Sequence, residues 1–175
     1  MSSTVGVVGS RALPASFAPL VSSVVRSYLS RGFVVASGGA LGADAFALSA
    51  LLQHDTASSG VIFSAWQSLA GFPVSVRPLV QQFMASGGRV VWGSSAPGAS
   101  RQHAVSALLS RNRRLVSASS VIVAFMHGAS RGTLYTIRQA VARRIPVVVF
   151  LCGDGASVPS DLVGRVSVIL CKGVI

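Results

Sequence analysis

Short, almost unbroken apolar runs recur along this chain, and each is followed by a turn and then by a stretch with apolar residues at helical spacing. Pro146 to Leu151, nearly all Val and Phe, shows the pattern most clearly. A half-buried strand alternates apolar and polar residues, whereas a strand covered by helices on both faces is apolar throughout. Strands of that kind separated by helices lead to a parallel sheet wound in both directions. The fold class expected is therefore α/β, with a doubly wound, mostly parallel sheet and helices on both faces.

The punctuation divides the chain in detail. Thr4 to Gly9 is a strand, Leu13 to Arg31 a helix with Pro14 near its start, Phe33 to Ser37 a second strand and Ala43 to Gln53 a second helix. Further strands are expected at Val61 to Ala65, Arg89 to Trp92, Ser120 to Phe125 and Pro146 to Leu151, with an edge strand at Val166 to Leu170. Helices fall at Leu79 to Ser86, Arg101 to Ser117 and Gly132 to Arg144, and the Ser, Gly and Pro cluster Gly93 to Ser100 reads as an exposed loop. A length of 175 residues suits a single domain, residues 1–175.

Mean hydropathy is high at +0.64, yet no apolar run approaches the roughly 18 residues of a membrane span. No membrane partner is expected. Thr4 to Gly9 is too short for a secretory apolar region, so the expected location is cytoplasmic. Cys152 and Cys171 lack metal-ligand spacing and read as plain thiols, and His54, His103 and His127 are too scattered for a metal site. Neither metal nor cofactor is expected.

Charge narrows the partner. Fifteen basic residues, fourteen of them Arg, face four Asp and no Glu, for a net charge of +11. A balance of that kind points to a polyanion, and the guanidinium fork grips phosphate in a way that a Lys point charge cannot. Arg111, Arg113 and Arg114 flank Asn112 late in one helix, and Arg101, Arg131, Arg138, Arg143 and Arg144 lie in the same half of the sequence.

Three turns offer the matching donors: Gly9-Ser10-Arg11, Ser37-Gly38-Gly39-Ala40-Leu41-Gly42-Ala43-Asp44 and Ser130-Arg131-Gly132-Thr133-Leu134. Each lies where a strand ends and a helix begins, so free backbone N–H groups and a helix dipole favour an anion there. Gly9-Ser10-Arg11 adds a hydroxyl and a guanidinium. In the second turn the glycines let successive N–H groups converge without Cβ obstruction. Asp44, in the first turn of its helix, either stabilises that turn or accepts from a ribose hydroxyl, a base edge or Arg11. Trp66, Trp92 and Phe72 are candidates for base stacking where exposed. No Ser, Cys or Lys carries a nucleophile signature with its base, which disfavours an enzyme.

Taken in order, the G-S-R turn, the S-G-x-x-x-G-x-D loop at Ser37 to Asp44, the Arg111-Asn112-Arg113 triplet and the Gly132-Thr133-Leu134 segment resemble the Rossmann-like core of the DNA-processing protein A family. The likeness spans nearly the whole chain. It implies a non-catalytic protein that binds single-stranded DNA in a basic pocket, forms a homodimer and assists a recombinase. The phosphate-contacting positions it implies are Gly9, Ser10, Arg11, Ser37, Gly38, Gly39, Arg111, Asn112, Arg113, Gly132 and Thr133, with Gly42 and Asp44 completing the pocket. The chain departs from the family pattern at Gly39, where Leu is usual, and at Arg131, inside the S-G pair. The LOG proteins of the same superfamily are similar in fold but carry a catalytic Glu, where this chain has Thr136. The competing reading is a sensor of a nucleotide-derived ligand, or a LOG-like nucleotide hydrolase, using the same pocket.

Overall fold

The computed structural model describes residues 3–171. Seven strands form one sheet: β1 (Thr4–Gly9), β2 (Val34–Ser37), β3 (Gly60–Phe63), β4 (Arg89–Val91), β5 (Val121–Met126), β6 (Val147–Cys152) and β7 (Ser167–Cys171). Their order is β4-β3-β2-β1-β5-β6-β7, and every neighbouring pair is parallel. The chain therefore winds outward from β1 to β4, crosses back, and winds the other way from β5 to β7. The reversal falls between β1 and β5.

Side chains on successive strand positions divide between two cores. Val5, Val7, Val35, Ile62 and Phe125 pack against α1 (Ala18–Ser30), α2 (Ala43–Gln53) and α3 (Arg77–Ala85), through residues such as Val21, Leu48 and Phe83. Val8, Ala36, Ile122, Ala124 and Val149 face α4 (Arg101–Ala118) and α5 (Arg131–Ala142), through Leu115 and Ile137. Helices thus cover both faces, which explains why the inner strands are apolar throughout. β7 lies at the edge, as its position in the sequence suggested, with Val168, Ile169 and Leu170 exposed.

Element ends differ from the sequence reading for local reasons. The first helix is preceded by a 3-10 turn at Ala15–Phe17, and α1 proper begins at Ala18, where Pro19 occupies the first turn and its missing N–H costs no helical bond. β3 ends at Phe63 rather than Ala65. Beyond it, the Ser64 hydroxyl donates to Trp66 O (3.0 Å) and accepts the Trp66 N–H (2.9 Å), which closes a side-chain turn in place of a strand. None of the helices among the described residues is long and apolar enough to cross a membrane.

Candidate anion site at the strand-order reversal

Because β1 and β5 are neighbours whose outgoing helices lie on opposite faces, their carboxyl ends open a crevice, the usual ligand position in open α/β sheets. A cavity of about 650 Å³ occupies it. Gly9, Ser10 and Arg11 come from the β1 turn, Asp44 from α2, Arg111 and Asn112 from α4, and Gly132 and Thr133 from α5. A smaller cavity of about 140 Å³ lies beside it and is lined by Gly38 and Gly39, with Arg11 and Arg111 shared between the two. Ser37, Gly42 and Arg113 line neither. Two helical steps of 100° carry Arg113 away from the face of Arg111, and Arg113 is exposed.

The role of the second glycine turn differs from the one its sequence suggests. Asp44 is buried and its Oδ2 accepts from Arg111 Nη1 (3.3 Å) and from the Ala40 N–H (3.2 Å). Of the alternatives for Asp44, the partner is thus an arginine, but Arg111 rather than Arg11. Arg111 is itself buried; burial pushes its pKa down, and the Asp44 carboxylate opposes that shift. A Cβ on Gly38 would lie 1.0 Å from Arg111 Nη1. The glycine loop therefore cradles the protein's own guanidinium. Gly42 serves the same assembly: its φ of +68° suits glycine, and a Cβ there would lie 2.2 Å from Ser10 O.

Ser10 is also committed to the protein. Its Oγ donates to His127 O and accepts the His127 N–H, both at 2.9 Å, tying the β1 turn to the end of β5. With both functions used, the hydroxyl acts as a clamp. Replacing it leaves a part-buried peptide group unpaired, so Ser10→Ala is expected to lower stability by about 1–3 kcal/mol in urea unfolding.

Donors left open to the cavity include those at the start of α5, two arginines and the Asn112 side-chain amide. Ser130 precedes α5 without capping it through its side chain, its Oγ lying instead 2.7 Å from Thr133 Oγ1. The N–H groups of Arg131, Gly132 and Thr133 thus keep the free character of a helix start. The first turn contains no acidic residue and instead carries the cation Arg131, a charge the helix dipole disfavours in the absence of an external anion. Arg131 and Arg11 are both exposed along the cavity wall. Of the other arginines of the sequence patch, three are engaged, Arg114 with the Ser64 and Trp92 carbonyls, Arg138 with Asp161 (2.8 and 3.0 Å) and Arg143 with the Ser117 hydroxyl, while Arg101, Arg113 and Arg144 are exposed and lie outside the cavity lining.

His127 lines the cavity although its sequence position suggested no ligand role. Its Nδ1 lies 2.8 Å from Cys152 O, which orients the ring. Leu108 and Leu109, also in the wall, precede Arg111 and Asn112 respectively by three residues, close to one helical turn, and that spacing was the available signal for them. Thr136 donates its hydroxyl to Gly132 O (3.0 Å). Among the described residues no three His, Cys, Asp or Glu side chains gather as a metal site.

A chain folded in this way is a doubly wound α/β protein whose crevice at the strand-order reversal presents a helix start and arginines. More narrowly, it belongs to the DNA recombination-mediator protein A family, whose model matches residues 1–164. No curated protein matches its sequence. Among solved structures it is similar to DNA processing protein A from Helicobacter pylori, for which a single-stranded DNA binding mode has been described. That match has 19% identity and a TM-score of 0.77, and covers 95% of this chain and 74% of the other. DNA processing protein A from Streptococcus pneumoniae matches at 22% identity and a TM-score of 0.71, over 96% of this chain and 58% of that longer one. The fold is also shared with the molybdenum cofactor carrier protein of Chlamydomonas reinhardtii, at 16% identity and a TM-score of 0.62, over 96% and 90% of the two chains.

Proposed function

We propose that the chain binds single-stranded DNA by its phosphate backbone in the β1–β5 crevice, without catalysing a reaction on it. The observation that carries this reading is the start of α5, uncapped by Ser130 and bearing Arg131 in its first turn, with Arg11 lining the same cavity. An anion there satisfies free N–H groups and two guanidiniums together. The net charge of +11 favours a polyanion, and membership of a DNA recombination-mediator family favours a DNA strand. Arg11, Arg131, Gly132 and Thr133 are the proposed contacts. Arg111 and Asp44 hold the pocket's shape, and Ser10 holds the two turns together.

A small phosphorylated ligand, such as a free nucleotide, is the other reading, since the fold is shared with a carrier of a small cofactor. Fluorescence anisotropy of labelled oligo-dT strands of increasing length, with mononucleotides as competitors, separates the two. Affinity that rises with strand length and resists competition is the expected result. Complete displacement by one mononucleotide would replace the strand with a small ligand.

A further inference from the structure

The two cysteines of the chain, Cys152 at the end of β6 and Cys171 at the end of β7, stand directly opposite each other in the parallel ladder. From this pairing we infer a dithiol that exchanges with low-molecular-weight disulfides and closes a cross-strand bond between β6 and β7. The pair lies outside the crevice lining and is independent of the DNA-binding reading above.

Residues paired in register on parallel strands point to the same face. Both thiols accordingly meet the same core, the one beneath α1 and α2: Cys152 is part of it and Cys171 borders it. Neighbouring strands lie about 4.8 Å apart, inside the roughly 4.4–6.8 Å that a disulfide requires between Cα atoms. Beyond the pair the Gly153 N–H donates to Cys171 O (3.1 Å), so the ladder stays closed and holds the two positions in register. Their spacing in the sequence gives no sign of this, because the pair arises only when β7 is laid beside β6.

The two thiols differ in access, which divides their roles. Cys171 is half-buried on the edge strand, whereas Cys152 is fully buried. Cys171 therefore reacts first: its thiolate attacks one sulfur of the small disulfide, forming a mixed disulfide and expelling a thiolate. The Cys152 thiolate then attacks Cys171 Sγ, forming the cross-strand disulfide and expelling the second thiolate. Two electrons pass from the cysteines to the small disulfide, which leaves as two thiols carrying the protons that the cysteines gave up. Burial pushes the pKa of the Cys152 thiol up to about 12, with Cys171 adding to the rise, and burial raises that of Cys171 as well. Thiolates are scarce at neutral pH, so the exchange is slow. Its consequence falls on the sheet edge. β7 is hydrogen-bonded on one side only and exposes Val168, Ile169 and Leu170, and the new bond ties it to β6. The pair is thus a slow latch on the edge strand rather than a fast redox sensor.

Mass spectrometry of the full chain after incubation with hydroxyethyl disulfide tests the latch. Wild type is expected to lose two hydrogens without gaining an adduct, and digestion without reductant is expected to yield one peptide pair joining Cys152 to Cys171. Cys152→Ala is expected to stop at the mixed disulfide on Cys171, and Cys171→Ser to leave Cys152 unmodified. Oxidised wild type is expected to melt about 6–12 °C above the reduced protein, the effect of closing a loop of this length in a domain of this size. A dithiol reductant is expected to reverse the shift. Stable mixed disulfides in wild type, a link between two copies, or two thiols still free although both react in the urea-unfolded chain would overturn the pair. A cross-strand disulfide that forms without raising the melting temperature would overturn its action as a latch.

Discussion

Gly38→Ala is expected to unfold the protein at a temperature about 6–20 °C lower than wild type, the effect of losing about 3–5 kcal/mol in a domain of this size. The added Cβ would sit 1.0 Å from Arg111 Nη1 and 2.8 Å from Asp44 Oδ2, so the guanidinium has to leave its place. Both members of the pair are buried, and separating them leaves each charge without compensation in a poorly solvated wall. Arg111 Nε already lacks a partner among the described residues, so little hydrogen bonding remains to absorb the displacement. Thermal unfolding followed by circular dichroism reads the effect. In an Arg111→Ala, Asp44→Ala background, Gly38→Ala should cost less than about 1 kcal/mol, because nothing then occupies the space its Cβ needs. An undiminished cost in that background would mean that Gly38 is required for the backbone and not for Arg111.

Gly132→Leu is expected to do the reverse, abolishing most strand binding while leaving the fold intact. A Cβ at Gly132 meets no atom within 4 Å, and the residue lines the main cavity at the start of α5. A leucine there would project into the space where an anion would sit. Exchanging glycine for leucine within a helix is itself favourable by several tenths of a kcal/mol, so the melting temperature should hold or rise slightly. Affinity for oligo-dT should fall roughly a hundredfold, the loss of two charge-assisted hydrogen bonds at about 1.5 kcal/mol each. A leucine variant that binds normally would move the ligand away from α5.

The contrast between these two glycines shows what the sequence makes legible. Both lie in turns after strands, and both read as openings for a phosphate. Local pattern finds the turns because apolar runs such as β6 and the helical spacing of α1 are recorded within a few neighbouring residues. It does not record that Arg111, 67 positions from Asp44, returns to fill the Gly38 turn from inside. Ser10 and His127 meet across 117 positions, and their clamp depends on β1 lying next to β5, an order that no local pattern specifies. Arg113 was separable from Arg111 by helical geometry alone, since residues two apart face away from each other. The apolar neighbours Leu108 and Leu109 become pocket walls only once α4 is laid over that crevice.

The central claim is that an anionic backbone sits between Arg11 and the start of α5, and the most direct measurement is the salt dependence of oligo-dT binding by wild type and Arg11→Ala. The expected result is a steep linear fall of log affinity with log salt for wild type, and a slope smaller by about 0.7–1 unit in the variant, the loss of one phosphate contact. Identical slopes for the two proteins would show that Arg11 meets no phosphate, and would contradict the placement of the strand in this crevice.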